Sequence, residues 1–148
     1  ITSEQEAEVI VRELGAAWAA RDRFFMGVFG RDTDEFVAQI YVGPVSWDVP
    51  EFEIGFFVDV DHEGQGYVTE AVQAAMAWIF GDLGAHRMRL ECDDTNVRSR
   101  RVAERCGMVL EGHIRENKRN TDGTLSGTLH FGLLKSEFEA LERLPTAR

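Results

Sequence analysis

Glu51-Phe52-Glu53-Ile54-Gly55-Phe56-Phe57-Val58-Asp59-Val60, followed at once by Asp61-His62-Glu63-Gly64-Gln65-Gly66-Tyr67-Val68-Thr69-Glu70, is the stretch on which the fold turns. In its first half the apolar residues 52, 54, 56, 58 and 60 alternate with Glu53, Gly55 and Asp59, the two-residue period of a strand with one buried face. Its second half sets two glycines ahead of Val72, Ala75, Met76, Ile79 and Leu83, which recur at helical spacing and close near Gly81 to Gly84. The first N–H groups of a helix lack partners within it, its dipole puts positive charge there, and glycines let a ligand approach the backbone. This strand, glycine turn and helix would suit a pyrophosphate, although glycines also serve tight geometry alone. A dinucleotide fingerprint needs a third glycine where Thr69 stands, and a Walker loop needs Gly-Lys-Ser/Thr, so both are excluded.

Upstream, Ser3 can cap a helix carrying Val9, Ile10, Leu14, Trp18 and Ala19, with acidic residues in its first turn. Phe24 to Phe29 and Glu35 to Val42 read as a hairpin around Gly30-Arg31-Asp32-Thr33, with Gly43-Pro44 closing the second strand. Downstream, residues 86–92 alternate again, and Asp93-Asp94-Thr95-Asn96 offers cap chemistry to a helix with Val97, Val102, Ala103 and Cys106 that stops at Gly107. Met108 to Arg115 and Leu125 to Leu134 read as strands on either side of a polar loop, 116–124, before a short helix from Ser136. The order implies a mixed sheet packed with helices.

The 148 residues, 44% of them hydrophobic, are enough for one domain with a core of its own. Cys92 and Cys106 form no Cys-x-x-Cys pair, so two buried, reduced thiols of a cytoplasmic protein are expected. The apolar run from Ala71 to Phe80 is too short to span a membrane and is broken by Gln73. A formal charge of −10 disfavours nucleic acid and favours a basic or amine-bearing partner, or serves solubility alone. His62-Glu63 has no second His at helical spacing, and His86, His113 and His130 fall in strand patterns, so no metal site is expected. The chain opens Ile1-Thr2-Ser3 without Met, which reads as a fragment or processed product.

Against this acidic background, Arg98-Ser99-Arg100-Arg101-Val102-Ala103-Glu104-Arg105 carries four arginines and one glutamate. The helix is either built for a polyanion or presents a solvated face in a chain with 14 Arg and two Lys. The glycine turn, together with Asn96, Ser99, Arg101-Val102-Ala103-Glu104 and Cys106-Gly107-Met108, then Glu111-Gly112 and Arg115-Glu116, resembles the GNAT superfamily of N-acetyltransferases and its RimJ/RimL-like branch. The resemblance implies an α/β (mixed α+β) fold: a mixed, mostly antiparallel sheet with a splayed central strand pair and helices on both faces. It covers 1–148 as a single domain, expected to lack the family's N-terminal strand and first helical segment.

The resemblance also implies acetyl-CoA as cosubstrate and an amine acceptor, a protein N-terminus or a small amine such as a polyamine or antibiotic, and leaves a homodimer open. Backbone N–H groups of Gly64, Gln65, Gly66, Tyr67, Val68 and Thr69 would cradle the pyrophosphate. Phe57 and Val58 would pair with the pantetheine arm, and Asn96, Ser99, Arg98 and Arg101 would complete the cofactor site. Direct attack in a ternary complex needs positioning and N–H donors, here from Phe56, Phe57 and Val58, rather than a covalent intermediate. Glu53 is the candidate base, or else a salt-bridging strand carboxylate, and Ser99, in place of the family's tyrosine, is the candidate partner of the leaving thiolate, or else a helix cap. Three residues depart from the family pattern: Glu63 for Gln or Arg, Val68 for a small residue, and Gly127 for an Asp on the substrate side. They would also fit a GNAT-like module that binds acyl-CoA without turnover or serves only as an interaction module.

Overall fold

The computed structural model describes residues 3–144. Its elements are α1 (Glu4–Ala19), β1 (Phe24–Phe29), β2 (Phe36–Ser46), β3 (Glu51–Val58), a 3-10 turn (Val60–His62), α2 (Tyr67–Gly81), β4 (Arg87–Asp93), α3 (Val97–Arg105), β5 (Val109–Arg119), β6 (Leu125–Leu134) and α4 (Lys135–Glu142). The strands form one six-stranded sheet in the order β1-β2-β3-β4-β6-β5. Neighbours are antiparallel except β3 and β4, which run parallel because α2 crosses between them. That parallel ladder is short. It joins Glu51–Glu53 to Arg87–Arg89 and stops, while β3 runs on to Val58 and β4 to Asp93, so the two strands splay.

One sheet face is apolar. Phe52 and Ile54 of β3, Met88 and Leu90 of β4, and Leu129, Phe131 and Leu133 of β6 bury against Val72, Met76, Ile79 and Phe80 of α2. Each such side chain contributes about 1.5–3 kcal/mol by leaving water. α1 joins through Trp18, which meets Phe24 and Trp78, and α4 through Phe138, stacked on Phe80. The helix contacts thus gather on this face, and a second helical layer is not found among the described residues. The opposite face carries Glu51, Glu53, Arg87, Arg89 and Glu91 in alternation with the core residues.

Three boundaries differ from the sequence reading. β2 continues through Gly43-Pro44, because β1 ends opposite Val42 and the proline's missing N–H falls where β2 is an edge. β3 ends at Val58, and Val60 lies in the following turn, 77% exposed, rather than on the strand's buried face. β5 runs to Arg119 through residues read as loop, resuming its pairing at Lys118 after a register shift beside Glu116, whose φ is 52°. Among the described residues no helix is long and apolar enough to cross a membrane. No group of three or more His, Cys, Asp or Glu there could hold a metal ion.

Candidate active site

The splay opens onto a cavity of about 510 Å³. Its floor is the free end of β3, Phe56 to Val58. One wall is the glycine turn with the start of α2, and the other is one face of α3, from its cap Asn96 to Arg105. Gly64 and Gly66 have φ of 72° and 86°, with nothing within 4 Å of a Cβ built on either, so backbone conformation rather than crowding demands glycine. Gly66 is also the N-cap of α2, and no side chain caps that helix. The first N–H groups of α2 are therefore available to an anion.

α3 is fixed by its own cap: Asn96 Oδ1 accepts from the Ser99 N–H at 3.0 Å. Ahead of it, Asp93 Oδ1 accepts from the N–H and hydroxyl of Thr95, at 3.0 and 2.6 Å, and Asp93 Oδ2 from the Ser126 hydroxyl at 2.7 Å. The Thr95 and Ser126 hydroxyls, with the Thr95 N–H, pull the Asp93 carboxyl down to about 2. This turn sets Arg98, Arg101 and Arg105 on the cavity wall opposite the start of α2.

Every residue expected to bind the cofactor lines this cavity except Gln65, whose amide turns back to the Asp61 carbonyl at 3.2 Å. Its backbone remains in the turn. Val68 does not crowd the turn: its side chain is buried in the core. Glu63 does not face an anion site unpaired, since it forms an ion pair with Arg98. Arg105, Val102 and His62 line the cavity as well; the sequence reading quoted them, Arg105 in the basic run of α3, but assigned none of them to the site, Arg105 because it falls at an unspecified position inside the motif.

Of the two expectations for Glu53, base or salt-bridging strand carboxylate, the ion pair is the one seen in the fold. Glu53 lies on the paired stretch of β3, outside the cavity, and its Oε2 accepts from Arg89 at 2.7 and 2.9 Å. The carboxylate beyond the end of the parallel ladder is Glu91, two residues on from Arg89, with His130 Nδ1 at 3.3 Å. Neither Glu53 nor Glu91 lines the cavity; Glu91 lies past the last paired residue of the parallel ladder, 3.9 Å from Arg89, and alternation along β4 was the signal that could have found it. Ser99 lines the cavity while its N–H serves the helix cap. Both thiols are buried and free, and burial pushes Cys106 up to about 11 and raises Cys92 too, which suits neither to nucleophilic attack.

Residues 1–109 match the Acetyltransferase (GNAT) domain family. The chain belongs to the GNAT acetyltransferase family. It is 29% identical over 97 residues to the Probable N-acetyltransferase YjcK of Bacillus subtilis, covering 65% of this chain and 54% of that protein. It is 29% identical over 85 residues to the Ribosomal-protein-serine acetyltransferase of Escherichia coli, covering 57% and 48%. The chain spans about half the length of the curated relatives it matches. The structure of the Spermidine N-acetyltransferase SpeG F149A mutant from Vibrio cholerae superposes with a TM-score of 0.81 over 97% of this chain and 82% of that one. At 17% identity this likeness is one of fold. The splayed, mostly antiparallel sheet expected from the GNAT resemblance is the sheet observed.

Proposed function

We propose that the protein is an acetyl-CoA-dependent N-acetyltransferase that acetylates a primary amine, with a protein N-terminal α-amine as the favoured acceptor. The observation that carries this reading is the splay of β3 from β4 opening onto an arginine-lined cleft headed by the uncapped start of α2. Acetyl-CoA brings the activated acyl thioester. The chain's part is to bind and orient: N–H groups of the glycine turn and the arginines of α3 take phosphates, and the free edge of β3 offers backbone groups for the arm and the reacting carbonyl.

On the polar face at the mouth of the splay, Glu91 backed by His130 is the group suited to accept a proton from an incoming ammonium. Glu53, tied to Arg89, holds the two strands together where they are still paired. An α-amine, with an ordinary pKa of about 7.7–8.0, is far easier to deprotonate than a lysine at about 10.4. The relative named as a ribosomal-protein-serine acetyltransferase supports a protein acceptor.

Thiol release from acetyl-CoA, measured against peptides with free N-termini, polyamines and aminoglycosides, tests the reading; no release with any of them would defeat it. Calorimetry with CoA then separates a binder without turnover from a protein that does not bind. Glu91→Gln is expected to lower kcat about 10²-fold while CoA binding stays unchanged. Glu53→Gln is expected to lower stability more than rate, because it breaks the part-buried pair with Arg89.

A further inference from the structure

The arginine-lined cleft carries an anion of its own. Glu63, at the head of the glycine turn, reaches across to the guanidinium of Arg98 in the first turn of α3, so the two walls are tied together at this point. The two partners are unequal. The Glu63 side chain is 27% exposed and its turn is braced: His62 Nδ1 lies 2.9 Å from Asp59 Oδ2, and the Gln65 amide donates to the Asp61 carbonyl. The Arg98 side chain is 71% exposed, in the first turn of α3, and Glu63 is its ion-pair partner.

Resting on the reading that this cleft takes the phosphates of acyl-CoA, we propose that Glu63 is a built-in competitor for that anion, a strap that holds Arg98 until an incoming phosphate displaces it. Carboxylate and phosphate both match the guanidinium fork, so the exchange replaces one set of charge-assisted hydrogen bonds with another. A largely solvated ion pair is weak enough to be exchanged. Once displaced, Glu63 stands beside the bound phosphates as a like charge, which lowers their affinity and favours recapture of Arg98 when the product leaves. Glu63 thereby sets cofactor affinity below what Arg98, Arg101 and Arg105 would provide unopposed.

The test is calorimetric titration of CoA into the wild type, Glu63→Gln, Arg98→Ala and the double variant, at low salt and at about 0.5 M salt. Glutamine keeps the shape of the side chain and removes its charge. Glu63→Gln is expected to bind CoA roughly three- to tenfold more tightly than the wild type at low salt. The gain should shrink at high salt and vanish when Arg98 is alanine. Equal or weaker binding by Glu63→Gln, with the wild type binding, would overturn the strap and make the pair a brace of the turn. A gain that survives Arg98→Ala would overturn it too, leaving simple repulsion. If neither the wild type nor Glu63→Gln binds CoA, the cofactor reading itself falls and takes the strap with it.

Discussion

A side chain at Gly127 would collide with Asp94 Oδ2 and lie 2.5 Å from the Ile114 carbonyl and 2.8 Å from His113 Nε2. His113 Nε2 and Asp94 Oδ2, 2.8 Å apart, cross directly over this glycine, and the Gly127 backbone, followed by His113, holds the Asp94 carboxyl below its ordinary range. The departure of Gly127 from the family pattern is thus matched by a pair that needs the space. Gly127→Asp is expected to destabilise the fold by about 2–4 kcal/mol, read from the urea midpoint, since the Ile114 carbonyl is backbone and cannot step aside. Asp93 supplies a second prediction. Its folded pKa of about 2 lies below the unfolded value of about 3.9, so its contribution to stability is complete above about pH 4 and is lost as the pH falls toward about 2. Asp94 and Asp122 are lowered in the same direction and steepen the same limb. Asp93→Asn should flatten the fall of the denaturation midpoint across that window. At this scale the sequence was least readable. Glu63, Val68 and Gly127 stood out as departures, but their partners Arg98, the core and the His113–Asp94 pair come from residues distant in the chain.

At the level of elements, local pattern and local chemistry agree in most places. β3, α2, β4 and α3 follow the alternation and caps seen in the chain, since each has one buried face and a marked start or stop. The misread stretches are those where neighbours override local cues. Pro44 is tolerated in β2 because no strand lies on that side, and β5 is exposed along nearly all its length, apolar Val109, Leu110 and Ile114 included, because it is an edge strand. α1 is helical as its period implies, yet Val9 and Ile10 stay exposed, so period gives the helix but not the depth of its burial. α3 is the element on which the site depends most, being nine residues long with Ala103 its one fully buried residue among those described. A helix this short draws much of its stability from its cap. Asn96→Ala should therefore cost about 1 kcal/mol, lower the melting temperature by roughly 3 °C, and weaken CoA binding through misplacement of Arg98 and Arg101. Unchanged melting with weakened binding would instead assign Asn96 a direct contact with the cofactor.

Over the whole molecule, the charge of −10 is unevenly distributed. Arg98, Arg101 and Arg105 gather on one wall of the cleft, whereas the open face of the sheet presents Glu51, Glu53, Glu91 and Glu111, which share only two arginines, Arg87 and Arg89, between them. On the proposed reading, a polyanionic cofactor and a cationic acceptor would be drawn to different sides of the splay, each attraction screened on its own account. Raising ionic strength should weaken CoA binding and should separately lower kcat/KM for a cationic amine measured at saturating acetyl-CoA. The two effects come apart with substitution. Arg105→Gln, outside the Glu63–Arg98 pair, should reduce the salt dependence of CoA binding and leave that of the acceptor's kcat/KM as it was, because its charge faces the cofactor side alone. If both dependences fell together, the acidic body and the basic cleft would be acting as one averaged field, and the separation of charge across the splay would have no part in recognition.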